Sequence, residues 1–257
     1  MVEYSARGAS IFGIPPYWFC AGLGFLISII CYMVLLYRNN YKVQDHVPML
    51  GIGAIGLIIG AKLLGGITKI LTLHQSGMPI TIEAISTSGI VFYGGVLGLV
   101  LFLIMSYRIK CRTIPWDVLD LLALCIPLFH SFARLGCFFG GCCYGRLSNS
   151  PFAIIYETNQ LDAAYRLPVQ LYEACGVFVI FLVLAYLQKE KCFQLHLLKI
   201  YFIAYAVLRF FLEFCRGDSE RGVCSIISIS QIISVLILSV IFIYSIVRGV
   251  KKNGKYN

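Results

Sequence analysis

Tyr17–Tyr37 reads YWFCAGLGFLISIICYMVLLY, with no Asp, Glu, Lys, Arg or His in it. A helix of that length, rising 1.5 Å per residue, crosses a hydrocarbon core of about 30 Å. The run is too long for a cleaved leader and has neither a basic stretch before it nor a small-residue cleavage site, so it is expected to be retained as a span. Further apolar stretches follow, separated by short polar connectors, and the expected spans are 17–37, 49–73, 88–107, 117–135, 169–187, 196–214 and 225–248. The 257 residues are 59% hydrophobic and 13% charged, where an average soluble domain has about 45–50% and about 25%. The alternating segments of about ten residues that mark a transmembrane β-barrel are not seen. The expected fold class is therefore all-α: a polytopic membrane protein of seven transmembrane helices, forming a single integral-membrane domain over residues 1–257.

A net charge of +9 invites a nucleic-acid reading, which the distribution of charge excludes. Arg38, Lys42, Arg108, Lys110, Arg112, Lys189, Lys191, Lys199, Arg248, Lys251, Lys252 and Lys255 fall in alternate connectors or the tail. The intervening segments hold only Arg7, Arg146, Arg166, Arg216 and Arg221. Basic residues concentrate on the cytoplasmic side of membrane proteins, so the N-terminus is expected outside and the C-terminus in the cytoplasm.

The longest polar connector, about Gly136 to Pro168, then lies outside as an arm between the fourth and fifth spans. Gly136, Gly140, Gly141 and Gly145 open it with tight backbone. Pro151–Tyr156 adds a short apolar patch suited to the membrane interface. Of the eleven cysteines, Cys20, Cys31, Cys125 and Cys175 fall within spans as small apolar groups, and Cys111 and Cys192 on the cytoplasmic side. Cys137, Cys142, Cys143, Cys215 and Cys224 lie at or near the outer face, where disulfides are permitted.

A charge at hydrocarbon depth costs at least about 2.5–3.5 kcal/mol on insertion scales and calls for a reason. The spans hold Lys62, Lys69, Arg134, Glu173, Arg209 and Glu213. Arg209, Glu213 and Arg216 share one helix face with Tyr205 a turn earlier, and His130 pairs with Arg134 at i, i+4. Internal ion pairs, snorkelling lysines and a satisfied core histidine account for each of these singly. Several cations converging on one depth point instead to an anionic, membrane-resident ligand, because guanidinium forks bind phosphate bidentately. A phospholipid headgroup fits that description.

Three ordered elements resemble the prolipoprotein diacylglyceryl transferase family. They are Phe129–Phe138 with Gly141–Gly145, then Leu167–Glu173, then Arg209–Arg216 followed by Ile229–Ile232. Tyr17, Gly60-Ala61-Lys62 and Phe92-Tyr93-Gly94-Gly95 extend the resemblance toward the N-terminus. The resemblance implies a multi-pass enzyme of the bacterial cytoplasmic (inner) membrane with its active site toward the outer face. It implies transfer of the diacylglyceryl group of phosphatidylglycerol to the lipobox cysteine thiol of a prolipoprotein, with release of glycerol 1-phosphate. The implied partners are phosphatidylglycerol, prolipoprotein signal peptides and surrounding membrane lipids, with no cofactor. Arg134 and Arg209 become phosphate-binding, catalytic arginines. Glu213 orients Arg209, and Tyr17, Lys62, Gly94, Gly95, Gln170, Tyr172 and Glu173 bind substrate.

The sequence departs from the family pattern where chemistry is expected. A histidine usual in the third span is Tyr93; Asn, Asn and Glu of the signature are Cys137, Gly140 and Cys142; an arginine is Lys62. The transfer needs a thiolate and hence a base. Either His130, which titrates near neutrality, or Tyr93 supplies it, with His130 favoured. For Cys137, Cys142 and Cys143 the expectation is packing or a structural disulfide and no metal, because adjacent cysteines do not easily share a tetrahedron and a Cys-x2-Cys pair is absent. A paralogue moving glycerol phosphate from the same lipid, a non-catalytic lipid-binding protein and a thiol oxidoreductase are the competing readings.

Overall fold

In a computed structural model the described residues are 3–89, 91–112, 115–159, 161–192, 196–217, 222–224 and 227–253. Helix α1 (Pro16–Arg38) starts at a proline, which loses nothing there because a first-turn N–H has no helical partner. It ends where Asn40 takes a left-handed φ of 62°. Helix α2 (Val43–Gln75) carries Pro48 in its first turns and is followed by the short α3 (Ile82–Ser86), capped by the Thr81 hydroxyl. Helices α4 (Phe92–Cys111), α5 (Trp116–Phe139), α6 (Val169–Lys189), α7 (Leu197–Leu212) and α8 (Ile229–Asn253) complete the set.

Six of these, α1, α2, α4, α5, α6 and α8, are long and apolar enough to cross a membrane. The protein is a multi-pass membrane protein. The expected span 196–214 is shorter than anticipated: α7 has 16 residues, about 24 Å of helix, and passes into a 3-10 turn over Glu213–Cys215. Large apolar side chains such as Phe25, Leu26, Ile58, Leu63, Val183 and Phe242 face outward, as lipid contact requires. His130, Gln170, Glu173 and Arg209 are buried instead.

The all-α expectation needs one correction. Three strands, β1 (Glu3–Ser5), β2 (Ile154–Thr158) and β3 (Leu161–Arg166), form a small sheet in the order β1-β2-β3. Tyr4 pairs with Tyr156 in the parallel ladder, and Ile155 with Tyr165 in the antiparallel one. The apolar run in the arm is thus partly strand, and its alternating side chains pack inward: Tyr156 and Thr158 are buried. A second, two-stranded ribbon joins β4 (Gly222–Cys224) to β5 (Ile227–Ser228).

The chain divides into two compact units. One comprises residues 1–29, 123–219 and 230–257, and the other residues 30–122 and 220–229. In the second, α2 and α4 approach so closely that only glycine fits. A Cβ on Gly60 would strike the Gly94 carbonyl oxygen, and one on Gly98 the Gly56 carbonyl oxygen. Small residues that let backbones touch are a common means of pairing helices in lipid.

Candidate active site

The first unit brings the third sequence element to the first. Helix α5 places His130 and Arg134 one turn apart, α6 places Glu173 in its second turn, and α7 places Tyr205 and Arg209 one turn apart. Glu173, fully buried, is the centre. Its Oε1 lies 3.0 Å from Nη2 of Arg134 and its Oε2 3.3 Å from Nη1 of Arg209. The Tyr205 hydroxyl donates to Oε1 at 3.1 Å, and His130 Nε2 lies 3.5 Å from the same oxygen.

Each arginine has partners besides Glu173. Arg209 Nη2 meets Glu213 Oε2 at 2.7 Å and donates to Ser230 Oγ at 3.2 Å, tying α7 to the start of α8. Arg134 Nε donates to His130 Nε2 at 3.3 Å. A neutral ring that accepts there carries its proton on Nδ1. The His130 ring lies edge-on to Tyr205 at 5.0 Å, so the imidazole is wedged between two members of the cluster. Contacts to Glu173 and His130 use two of the five N–H bonds of Arg134. Its side chain is 11% exposed against 3% for Arg209, so Arg134 is the more open cation.

The turn after α5 is pinned beside this cluster. Gln170 Nε2 donates to the Cys142 carbonyl at 2.8 Å, and the Tyr156 hydroxyl donates to the Phe138 carbonyl at 2.6 Å. Burial holds the Tyr156 phenol above its ordinary value. Tyr172 spends its hydroxyl on the Phe152 carbonyl, 3.1 Å away. Tyr17 on α1 packs its backbone against Gly136, where an added Cβ would lie 3.1 Å from the Tyr17 Cα.

Within the same turn the sulfurs of Cys137, Cys142 and Cys143 lie within 4.8 Å of one another. All three are free thiols; the structural disulfide, one of the two alternatives expected for them, is not formed. Hydrogen bonds from the Cys137 and Cys142 thiols hold the Cys143 thiol well below its ordinary value, against burial and with help from Arg134 and Arg216.

Lys62, Tyr93, Gly94 and Gly95 belong to the second unit. Lys62 Nζ donates to the Ser88 carbonyl at 3.0 Å, Tyr93 is buried, and Gly94 is a contact point of α2 with α4. Among the first unit's residues, the sequence reading assigned no role to Tyr205, although its i, i+4 spacing from Arg209 was the signal. Tyr156 fell within the apolar patch of the arm and Ser230 within the Ile229–Ile232 element, neither with a role of its own. Glu173, expected to line a headgroup cavity, has both its oxygens on arginines and a tyrosine.

These features describe a multi-pass membrane protein whose buried ionic cluster fixes two guanidinium groups with a pair of carboxylates. The model of the prolipoprotein diacylglyceryl transferase family matches residues 9–247, and the chain belongs to that family. It is 32% identical over 248 residues to the phosphatidylglycerol–prolipoprotein diacylglyceryl transferase of Clostridium tetani, covering 93% of this chain and 96% of that one. It is 31% identical over 255 residues to transferase 2 of that name from Clostridium perfringens, covering 95% and 97%. The transferase of Campylobacter hominis is 31% identical over 250 residues, covering 89% and 85%.

Proposed function

We propose that the protein transfers the diacylglyceryl group of phosphatidylglycerol to the lipobox cysteine of prolipoproteins, at the outer face of a bacterial cytoplasmic membrane. The observation that carries the reading is the pair of buried arginines bound to Glu173 (Arg134 Nη2 at 3.0 Å, Arg209 Nη1 at 3.3 Å), in a chain of this family. All 257 residues serve as one integral-membrane transferase domain, with the N-terminus outside and the C-terminus in the cytoplasm. Helix α7 and its 3-10 turn make the sixth of seven spans. Both substrates are anchored in the bilayer and reach the site laterally between helices.

In the reaction the acceptor sulfur attacks the glyceryl carbon bearing the phosphate ester. The C–S bond forms as the C–O bond breaks, and the electron pair leaves on the phosphate oxygen as glycerol 1-phosphate. Arg134 directs its remaining N–H bonds to the phosphodiester and to the charge that grows on the leaving oxygen, where preorganised donors are most effective. Arg209, deeper and doubly held by Glu173 and Glu213, supplies the second positive charge. Glu173 keeps both forks in place before substrate arrives, so that no reorganisation is needed during the step.

His130 has its acceptor nitrogen on Arg134 Nε, which makes it a positioning residue for that arginine in this arrangement. Gln170, Tyr172 and Tyr17 shape the wall of the headgroup site through the turn after α5. Lys62, Gly94 and Gly95 keep the substrate-binding role, and Tyr93 the role of alternative base, that the family resemblance implies.

The test is purified protein in detergent with phosphatidylglycerol and a synthetic lipobox peptide, followed by intact mass. The expected result is a peptide heavier by one diacylglyceryl group, absent when the peptide cysteine is serine and lost at least about a hundredfold in Arg134→Gln. A folded, lipid-binding protein that leaves the peptide unmodified overturns the proposal.

A further inference from the structure

The three thiols at the end of α5 and in the turn after it meet because of two left-handed residues. Adjacent side chains on an extended strand point to opposite sides, which is the difficulty with Cys142 and Cys143 sharing a ligand. Here Gly141 has φ 75° and Cys143 φ 59°, so the chain curls and both sulfurs turn toward Cys137 on the last turn of α5. All three then lie within 4.8 Å of one another. Tetrahedral zinc with Zn–S bonds of about 2.3 Å needs sulfurs about 3.8 Å apart, a closure of about 1 Å or less.

The turn that carries them is held from several sides. The Cys142 N–H donates to the Cys137 carbonyl at 3.1 Å, and Gln170 from α6 donates to the Cys142 carbonyl at 2.8 Å. Both bonds fix the backbone of the turn on which the sulfurs are carried. Three thiolates and one divalent ion leave one negative charge, and Arg134 lies within electrostatic reach of the Cys137 and Cys143 sulfurs to offset it. Among the described residues, no His, Asp or Glu joins the group as a fourth ligand. Three protein ligands and an open position are the pattern of a catalytic zinc site, whereas structural sites are closed by four. Cys137 is buried and Cys142 exposed, so the group opens to one side.

We propose that Cys137, Cys142 and Cys143 bind a zinc ion whose fourth position takes the acceptor cysteine as its thiolate. The inference rests on the transfer reaction proposed above and deepens it. Binding converts the acceptor R–SH to zinc-bound R–S⁻, and the proton passes to solvent. A metal-bound thiol is deprotonated outright at neutral pH, so the step needs no side-chain base. His130 is committed to Arg134, and a tyrosine such as Tyr93 has a reference pKa of about 10. The zinc-bound sulfur then attacks the glyceryl carbon, the phosphate ester leaves with its electron pair, and the neutral thioether dissociates from zinc as the weaker ligand.

The test uses the full-length protein stripped of metal and reloaded with zinc or with cobalt(II) as a spectroscopic substitute. The expected result is one ion per chain and a sulfur-to-cobalt charge-transfer band that intensifies on adding the lipobox peptide, but not its serine analogue. Cys142→Ser, at an exposed position, should lose the ion while still eluting as folded protein. Gln170→Ala should weaken ion affinity, because the turn loses its tie to α6. A protein that holds no zinc or cobalt, or whose thiol count shows a disulfide within the three, overturns the proposal. So does one that takes only copper(I), or whose cobalt spectrum ignores the peptide thiol. Peptide lipidation by protein free of metal would overturn the zinc site and leave the transferase standing. A cobalt site that responds to the thiol without any diacylglyceryl product would overturn the transferase and leave the site.

Discussion

Replacing Glu173 by glutamine tests the ionic cluster most severely. The carboxylate faces Arg134 Nη2 at 3.0 Å and Arg209 Nη1 at 3.3 Å, and is wholly buried. With charge centres about 4 Å apart and an effective dielectric constant of about 20, each attraction amounts to about 4 kcal/mol. Glutamine removes both attractions and turns an amide N–H toward one guanidinium. Against this stands the desolvation of the carboxylate, which the variant no longer suffers. Removing one member of a buried pair has a net cost of about 3–5 kcal/mol, and that is the destabilisation expected for Glu173→Gln. Reversible unfolding by SDS titration in mixed micelles reads it directly. The double variant Glu173→Gln/Arg209→Gln removes one of the two stranded cations, and should recover about 1–3 kcal/mol relative to the sum of the single changes. Equal stability of Glu173→Gln and the wild type, within about 0.5 kcal/mol, would refute the idea that the carboxylate holds the arginines.

Gly60→Ala should cost about 3 kcal/mol or more, because its methyl meets the Gly94 carbonyl and neither backbone can yield; thermal inactivation in detergent would show it, and an unchanged profile would contradict the close α2–α4 contact. His130→Gln, which can still offer an oxygen to Arg134 Nε, should keep much of the transfer rate, whereas His130→Ala should lose far more. Equal loss in both, with a changed pH–rate profile, would return the histidine to the role of base. Tyr156 gives a pH signature: burial raises its pKa, so the folded state keeps the phenolic proton when the unfolded chain has lost it. Its contribution is then fully present below the ordinary value of about 10 and falls as pH rises through the higher folded value. Tyr156→Phe should abolish that alkaline loss, and should cost about 1 kcal/mol at neutral pH by removing its hydrogen bond to the Phe138 carbonyl, which keeps the Gly141 N–H as donor.

The six long apolar helices were readable because an apolar run of about 20 residues is long enough to cross a bilayer as a helix. The boundary of α7 was not, since Glu213–Cys215 continues the apolar pattern while the backbone tightens to a 3-10 turn. The strands escaped because β1 is three residues long and draws its partner from 152 positions further along, as in the Tyr4–Tyr156 pairing; no local pattern encodes such a pairing. For the site, i, i+4 spacing placed His130 with Arg134 and grouped Tyr205 with Arg209, because helix geometry fixes those neighbours. The position of Glu173 between the two arginines depends on how α5, α6 and α7 pack, which one-dimensional spacing does not carry. The cysteines show the same limit from the other side. Their adjacency in sequence argued against a shared centre, and the left-handed φ of Cys143 brings the sulfurs together.

The most direct measurement of the central claim follows both halves of one phosphatidylglycerol, labelled in its acyl chains and, with a different isotope, in its terminal glycerol. After incubation with the protein and a lipobox peptide, the account predicts acyl label on the peptide as a thioether and glycerol label in water-soluble glycerol phosphate, in equal amounts. Glycerol label on an acceptor, with the acyl label left in free diacylglycerol, would contradict it and assign the arginine site to transfer of the headgroup.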